Sequence, residues 1–468
     1  MTTRVVGRTR LETQVRAALV VGYVAFIVLG FTWVWQPRVF WTMLLPLVPL
    51  GIVLMGFATW RDICPLAAFG DVGRWLNRGE QRRVPAWLER WFFIVTFVIL
   101  LAALVMRLVA TNGDGVWLAG LLIGLALAAL VTNWIFTGKT WCNFVCPVGL
   151  VERIYTEPNS LVRSGANSQC VRCTACKKYC PDIDQENGYW RDMVSSGRRI
   201  ATYAFPGLVL AFYTYYYLRH GDWEAYFDGR WTAGAADGQL LLGPGFFFAP
   251  EIPAVVAATL TMVAFSIVSL AIFLLIEAAV ARFVQDAERR RHLVLALAAF
   301  VAFSVFYVFA GAPTLRRLTG GTRLAAFVAP LVATLFLVKR WQRRREHYIR
   351  ERSAAKLLRN WPFDQPPPED PSEVYAWIKA GEHAQEQHIA AYENTVREMI
   401  ADGLVHGGEM KLLVEVRKQL GVSEREHEKI VARLSEEERE LFSQEGAGSE
   451  QRAQLEGYET VLAEALFR

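Results

Sequence analysis

Seven cysteines, Cys64, Cys142, Cys146, Cys170, Cys173, Cys176 and Cys180, are the residues whose type and spacing could do chemistry. Four of them form Cys170-Val-Arg-Cys173-Thr-Ala-Cys176-Lys-Lys-Tyr-Cys180-Pro181, which is C-x2-C-x2-C-x3-C-P without a deviation. That spacing is the bacterial run for a [4Fe–4S] cluster, in which the last cysteine serves a neighbouring cluster. The physical reason is reach: three thiolates two residues apart wrap one face of a cubane and take three of its four irons. The longer spacing and the proline turn the fourth away. Zinc is the rival reading, because C-x2-C pairs also bind zinc. Zinc ribbons use two separated pairs, however, and not four cysteines within eleven residues followed by proline.

Cys170, Cys173 and Cys176 then need a fourth ligand from elsewhere. Trp141-Cys142-Asn-Phe-Val-Cys146-Pro147 repeats the C-x3-C-P half of the run, so Cys146 is expected to complete the first cluster. Cys142 and Cys180 are left to begin a second. Cys64 joins them through an internal repeat. Phe57-Ala-Thr-Trp60-Arg-Asp-Ile-Cys64-Pro65 follows the second apolar segment, as the Cys142 motif follows the fourth. At an offset of 82 residues, Cys64-Pro65 lies on Cys146-Pro147 and Trp60 lies on Cys142. Seven thiolates divide as four and three. A second cluster on Cys64, Cys142 and Cys180 would need a non-cysteine fourth ligand; Asp62 is near in sequence, but nothing singles it out. The alternative is one cluster, with Cys64 a buried bystander. One or two [4Fe–4S] clusters are therefore expected.

The elements that must position these residues are apolar. Of 468 residues, 53% are hydrophobic and 20% charged. Apolar segments at 17–35, 39–59, 91–110, 116–136, 200–218, 253–276, 293–315 and 324–338, with Arg107 the one charge among them, match the roughly 20 residues a helix needs to cross a bilayer. The chain reads as an all-α polytopic membrane protein of about eight transmembrane helices. A ferredoxin-like iron–sulfur insertion occupies its loops, and a small helical domain ends it. The expected units are 1–136 with four spans, 137–199 with the cluster loop, 200–340 with four more spans, 341–371 as basic collar and proline-rich linker, and 372–468 as an acidic helical module.

Charge gives the orientation. Residues 1–359 carry 39 Lys/Arg against 22 Asp/Glu, and the rest of the chain is acidic. The basic excess sits in the loops 60–90, 137–199 and 282–291, so the positive-inside rule places those loops and both termini in the cytoplasm. A multi-pass protein of the cell inner membrane is expected. Cytoplasmic thiols stay reduced, which favours metal binding over a disulfide framework. No basic stripe interleaved with aromatics suggests nucleic acid.

Other residues carry weaker expectations. Arg107, near the end of its span, should snorkel to the interface. Tyr213, Tyr215, Tyr216 and Tyr217 should form an aromatic belt. Glu277 should pair with Arg282 or lie near the interface. His220 and His292 flank spans on opposite sides, so no pair clamps a haem and none is expected. In the tail, capping-box patterns start helices at Ser423 and Ser435, and the tail histidines, including His383 and His427, should be solvated.

Paired spans ending in C-x3-C-P, together with the ferredoxin run, resemble the membrane-bound polyferredoxin family. Its members include electron-transfer proteins that accompany periplasmic nitrate and nitrous-oxide reductases. The resemblance covers residues 15–185, is strong at 141–181 and weaker at 57–70. It implies two [4Fe–4S] clusters in electron transfer at the cytoplasmic face. The expected function is an electron-transfer subunit working between a quinone or soluble donor and a partner oxidoreductase. A redox-sensing or metalloenzyme-maturation factor signalling through the tail is the alternative. Trp60 and the lack of a second ferredoxin run depart from the family pattern.

Overall fold

The computed structural model describes residues 10–33, 35–77, 79, 81–158, 184–232, 239–317, 321–359, 371–400 and 407–436. Among them the regular elements are helices, with two isolated bridges in place of any strand. Two units form, Met1–Arg345 and Glu346–Arg468.

In the first unit six helices are long and apolar enough to cross a membrane: Arg10–Leu29 (α1), Gln36–Met55 (α2), Ala86–Thr111 (α3), Gly115–Ile135 (α4), Ala254–Val280 (α5) and Ala287–Leu315 (α6). Two more helices, Ser196–His220 (α7) and Gly321–Gln342 (α8), cover the remaining expected segments. The helix α7 is unlike the six. It is packed among α3, α5 and α6 and is buried along most of its length. A helix clothed by other helices can carry hydroxyls that lipid would not solvate. Tyr203 accordingly donates to Glu277 (2.9 Å), and Tyr215 to the Ala254 carbonyl (3.1 Å). The expected aromatic belt is thus corrected: Tyr213, Tyr215 and Tyr216 belong to the core. Gly207 lets α7 and α5 approach closely, since a Cβ there would collide with the Phe265 carbonyl.

Glu277 is held by Arg199 (2.8 Å), Tyr203 and Arg291 (3.7 Å), which replaces the expected Arg282 pairing. Arg107 does not snorkel. It is buried between the rings of Trp41 and Phe212, 4.2 and 4.4 Å from their centroids, which satisfy part of its charge by cation–π attraction. His292 is fully buried as well, bonded to the Tyr189 hydroxyl (2.7 Å) and the Arg340 carbonyl (2.8 Å).

The second unit contains helices Pro371–Ile400, Gly407–Gln419 and Glu424–Val431. Their three- and four-residue spacing of apolar positions closes a small core of Tyr392, Val396, Leu413, Val422, Ile430 and Leu434. The capping box at Ser423 and Glu426 is formed. The one expected at Ser435 runs beyond the described residues, and so does the proline-rich linker. His427 is half-buried and bonded to the Tyr392 hydroxyl (2.9 Å), so it is not solvated; His383 is exposed, as expected.

Candidate metal centre

Cys64, Cys142 and Cys146 come together although 82 residues separate the first from the last. All three share one apolar cluster with Ala67, Ala129 and Trp141, and all three are free thiols. The expected ligands Cys170, Cys173, Cys176 and Cys180 lie outside the described residues. Among the described residues no group of three or more His, Cys, Asp or Glu is gathered closely enough to hold a metal ion.

Two copies of one turn bring the thiols together. In each, a short helix ends at a cysteine that is also the N-cap of the next helix, with proline in that helix's first turn. Cys64 has φ −59° and ψ 127° and begins Pro65–Leu76 (α9). Cys146 has φ −59° and ψ 122° and begins Pro147–Thr156 (α10). Proline suits the first helical position because its missing N–H would be unsatisfied there in any case. The new helix points its free N–H groups and positive dipole end toward the sulfur.

The copies differ in pitch. The Cys64 N–H donates to the Trp60 carbonyl four residues back (2.9 Å), closing an α turn. The Cys146 N–H donates to the Trp141 carbonyl five residues back (2.8 Å), closing a π turn over Trp141–Val145. Backbone bonding therefore lays Trp60 on Trp141, preceded by threonine in both copies, rather than on Cys142 as the constant offset suggests. The second copy is Thr-Trp-x4-Cys-Pro and the first Thr-Trp-x3-Cys-Pro. One inserted residue, absorbed as a π turn, accounts for the difference.

Neighbouring elements fix the second turn. Asn133, buried at the end of α4, accepts from the Trp141 N–H (2.9 Å). Gln81 donates to the Asn133 carbonyl (2.7 Å), and Arg82 bridges to Ile135 and Thr137. The helix α9 packs on α4, where Gly70 and Gly73 have no room for a Cβ. The helix α10 packs on α2 and α3. Each copy's exit helix thus rests against the other copy's span, a crossing that joins the two halves.

Arg61, within the basic loop 60–90, joins them directly. Its side chain is fully buried over the Phe57 ring. From the first copy it donates to the second: Nε to Glu152 (2.8 Å), Nη1 to Asn143 Oδ1 (2.7 Å) and Nη2 to the Cys142 carbonyl (3.1 Å). Gly149 gives the Cys142 carbonyl room, since a Cβ there would lie 2.6 Å from it. The indole N–H groups of Trp60 and Trp141 both lack a partner among the described residues.

Burial dominates the thiols' acidity. It pushes Cys64 up to about 11, against the pull of the Leu66 and Ala67 N–H groups and Arg16. It pushes Cys142 up to about 12, against Arg61 and Lys139, and raises Cys146 well above the ordinary thiol value. Burial thus favours the neutral thiol at all three positions. They become thiolates when a cation compensates the charge.

Beyond Cys146, α10 leads to Thr156, which accepts a hydrogen bond from Gln185 Nε2 (2.7 Å). That bond ties together the two flanks of the segment that contains Cys170 to Cys180. Buried arginines crowd the same place. Arg153 lies 3.6 Å from Glu157, Arg198 is bonded to Glu157, and Arg340 donates to the Ile154 carbonyl. Compared with known protein families, curated proteins and solved structures, the chain matches none.

Proposed function

We propose that this chain is a membrane-bound iron–sulfur protein of the polyferredoxin type. It transfers electrons between a quinone or soluble donor and a partner oxidoreductase. The observation that carries the reading is the convergence of Cys64, Cys142 and Cys146 through two Cys-Pro turns, the second followed by the helix that leads to the tied flanks of a segment holding a complete ferredoxin run.

The donor set suits such a group in three ways. Cys64 and Cys146 take helix N-cap positions that favour thiolate, the surrounding cluster is apolar, and the buried Arg61 guanidinium, with the indole N–H groups of Trp60 and Trp141 that have no partner among the described residues, supplies positive charge and donors to the same turns. Cys170, Cys173, Cys176 and Cys146 would hold the first [4Fe–4S] cluster, and Cys180, Cys142 and Cys64 a second. Such clusters supply one-electron transfer. Arg61 fixes the Cys142 carbonyl and offsets negative charge, Gly149 leaves that carbonyl room, and the apolar wall excludes water. In the cell inner membrane, eight spans with both termini and the cysteine loops in the cytoplasm fit the distribution of lysine and arginine.

Anaerobic purification with iron and sulfide counting and EPR tests the proposal. Iron near four or eight atoms per chain is expected; a chain free of iron and sulfide would overturn it. A second reading, a redox-sensing or maturation factor, draws on the separate core of the Glu346–Arg468 unit. Removing residues 360–468 separates the two. Electron transfer survives the deletion in the first reading and fails in the second.

A further inference from the structure

A cavity of about 250 Å3 lies at the end of the helices opposite the three thiols. Leu108, Asn112, Tyr215, Tyr216, Arg219 and Trp231 line it. It sits where the π turn Arg107–Thr111 closes α3 and where α7 ends. Single π turns recur at functional sites.

Two cations stand beside it without a counter-ion among the described residues. Arg107, 4% exposed, has an unpartnered Nε, and no carboxylate pairs with it among the described residues. Arg219 is half-buried and likewise forms no ion pair among the described residues. Rings alone offset a buried guanidinium incompletely, and an uncompensated buried charge is expensive.

Asn112 adds a polar group of the right kind. It is 7% exposed, its Nδ2 donates to the Tyr216 hydroxyl (2.7 Å), and its Oδ1 has no partner among the described residues. Because that hydroxyl can donate or accept, the amide can present either end to a ligand. The rest of the wall is apolar and aromatic, with Trp231 5.3 Å from Tyr216 and stacked on Tyr226. An anion small enough to be fully hydrated would leave that wall uncovered. The occupant should carry charge at one end and an apolar stem at the other. The ends of bilayer-length helices are the depth at which lipid headgroups lie.

We infer that this cavity binds the phosphate headgroup of an anionic lipid, with Arg219 and Asn112 at the phosphate and Leu108 and Trp231 along the apolar stem. Free phosphate shares the charge chemistry but not the stem. The site is independent of the iron–sulfur reading, since α4 alone spans roughly 30 Å between the two ends.

The full-length protein, purified in detergent and delipidated, tests this by native mass spectrometry. Phosphatidylglycerol, phosphatidylcholine and inorganic phosphate are the probes. Phosphatidylglycerol should be retained over phosphatidylcholine. Arg219→Gln and the cavity-filling Asn112→Leu should each cut that retention by about tenfold or more, while Arg344→Gln should not. Thermal unfolding identifies which variants are folded, and two independent variants keep the test decisive if one is not. Equal binding of the two lipids, or undiminished retention in a folded variant, overturns the proposal. Displacement of the lipid by millimolar inorganic phosphate reassigns the site to a free anion and overturns the lipid source.

Discussion

The Cys64 turn and the Cys146 turn hold a cysteine at the same point of the same motif, with backbone angles within 5° of each other. Two of the differences in their surroundings bear on the cysteines. Directly after the shared tryptophan stands Arg61 in the first copy and Cys142 in the second. Three residues after the capping cysteine stands Ala67 in the first and Gly149 in the second. These differences interlock. The added cysteine is carried on a π turn that leaves the Cys-Pro cap unmoved. The arginine at the corresponding place in the first copy reaches across to hold that cysteine's carbonyl. The copies are complementary rather than redundant: one supplies a thiol and a buried cation, the other supplies two thiols.

Exchanging the capping cysteines makes the largest expected difference. Cys146→Ser should abolish the EPR signal of the cluster shared with Cys170, Cys173 and Cys176. Cys64→Ser should leave that signal intact and lower the iron count only if a second cluster exists. Equal loss from both variants would break the division of labour between the copies.

Arg61 comes next. Its guanidinium and the Glu152 carboxylate are both buried and paired at 2.8 Å. Breaking a buried pair is costly, so Arg61→Met should cost about 3–5 kcal/mol. Arg61→Met combined with Glu152→Leu should recover most of that, because two apolar side chains leave no stranded charge. Chemical denaturation in mixed micelles reads both. A double variant as unstable as the single would mean that the bonds to Asn143 and the Cys142 carbonyl, not the ion pair, hold the copies together.

How much of this was legible beforehand depended on whether a residue's role is local. The six bilayer-length helices and the Ser423 capping box follow from composition and spacing over a few turns. The pairing of the Cys64 and Cys146 turns could be read because Cys-Pro is a backbone signal. The π turn could not be read, since a fixed offset hides a one-residue insertion; the shared Thr-Trp was the available clue. Burial of Tyr213, Arg107 and Glu277 was missed for a different reason. Each sits near a span end in sequence, where interface is the default expectation, and only the packing of α3, α5 and α7 decides otherwise.

Removing the inserted residue sharpens the pitch difference. Deleting Val145 makes the second copy Thr-Trp-x3-Cys-Pro, like the first, and turns Cys142 by about 100° relative to Cys146. The Cys-Pro cap should persist, with global stability lowered by about 1–3 kcal/mol from disturbed packing. Any iron that depends on Cys142 should be lost. Full retention of iron would show that Cys142 is not a ligand.

The smallest effects come from the position three residues after each cap. Ala67 is 2% exposed and fits against its neighbours, whereas a Cβ on Gly149 would lie 2.6 Å from the Cys142 carbonyl. Gly149→Ala should therefore cost about 1–3 kcal/mol, because backbone cannot retreat as a flexible side chain would. Ala67→Gly should cost nearer 1 kcal/mol, the usual penalty of glycine in a helix. The two substitutions also differ in kind. Gly149→Ala pushes on the carbonyl that Arg61 holds, so its effect should shrink when Arg61→Met has already released that carbonyl. Ala67→Gly should add to Arg61→Met independently. A double-mutant cycle on thermal unfolding separates these outcomes. Additivity in both cycles would show that the Arg61 bridge and the Gly149 gap act separately on the Cys142 turn.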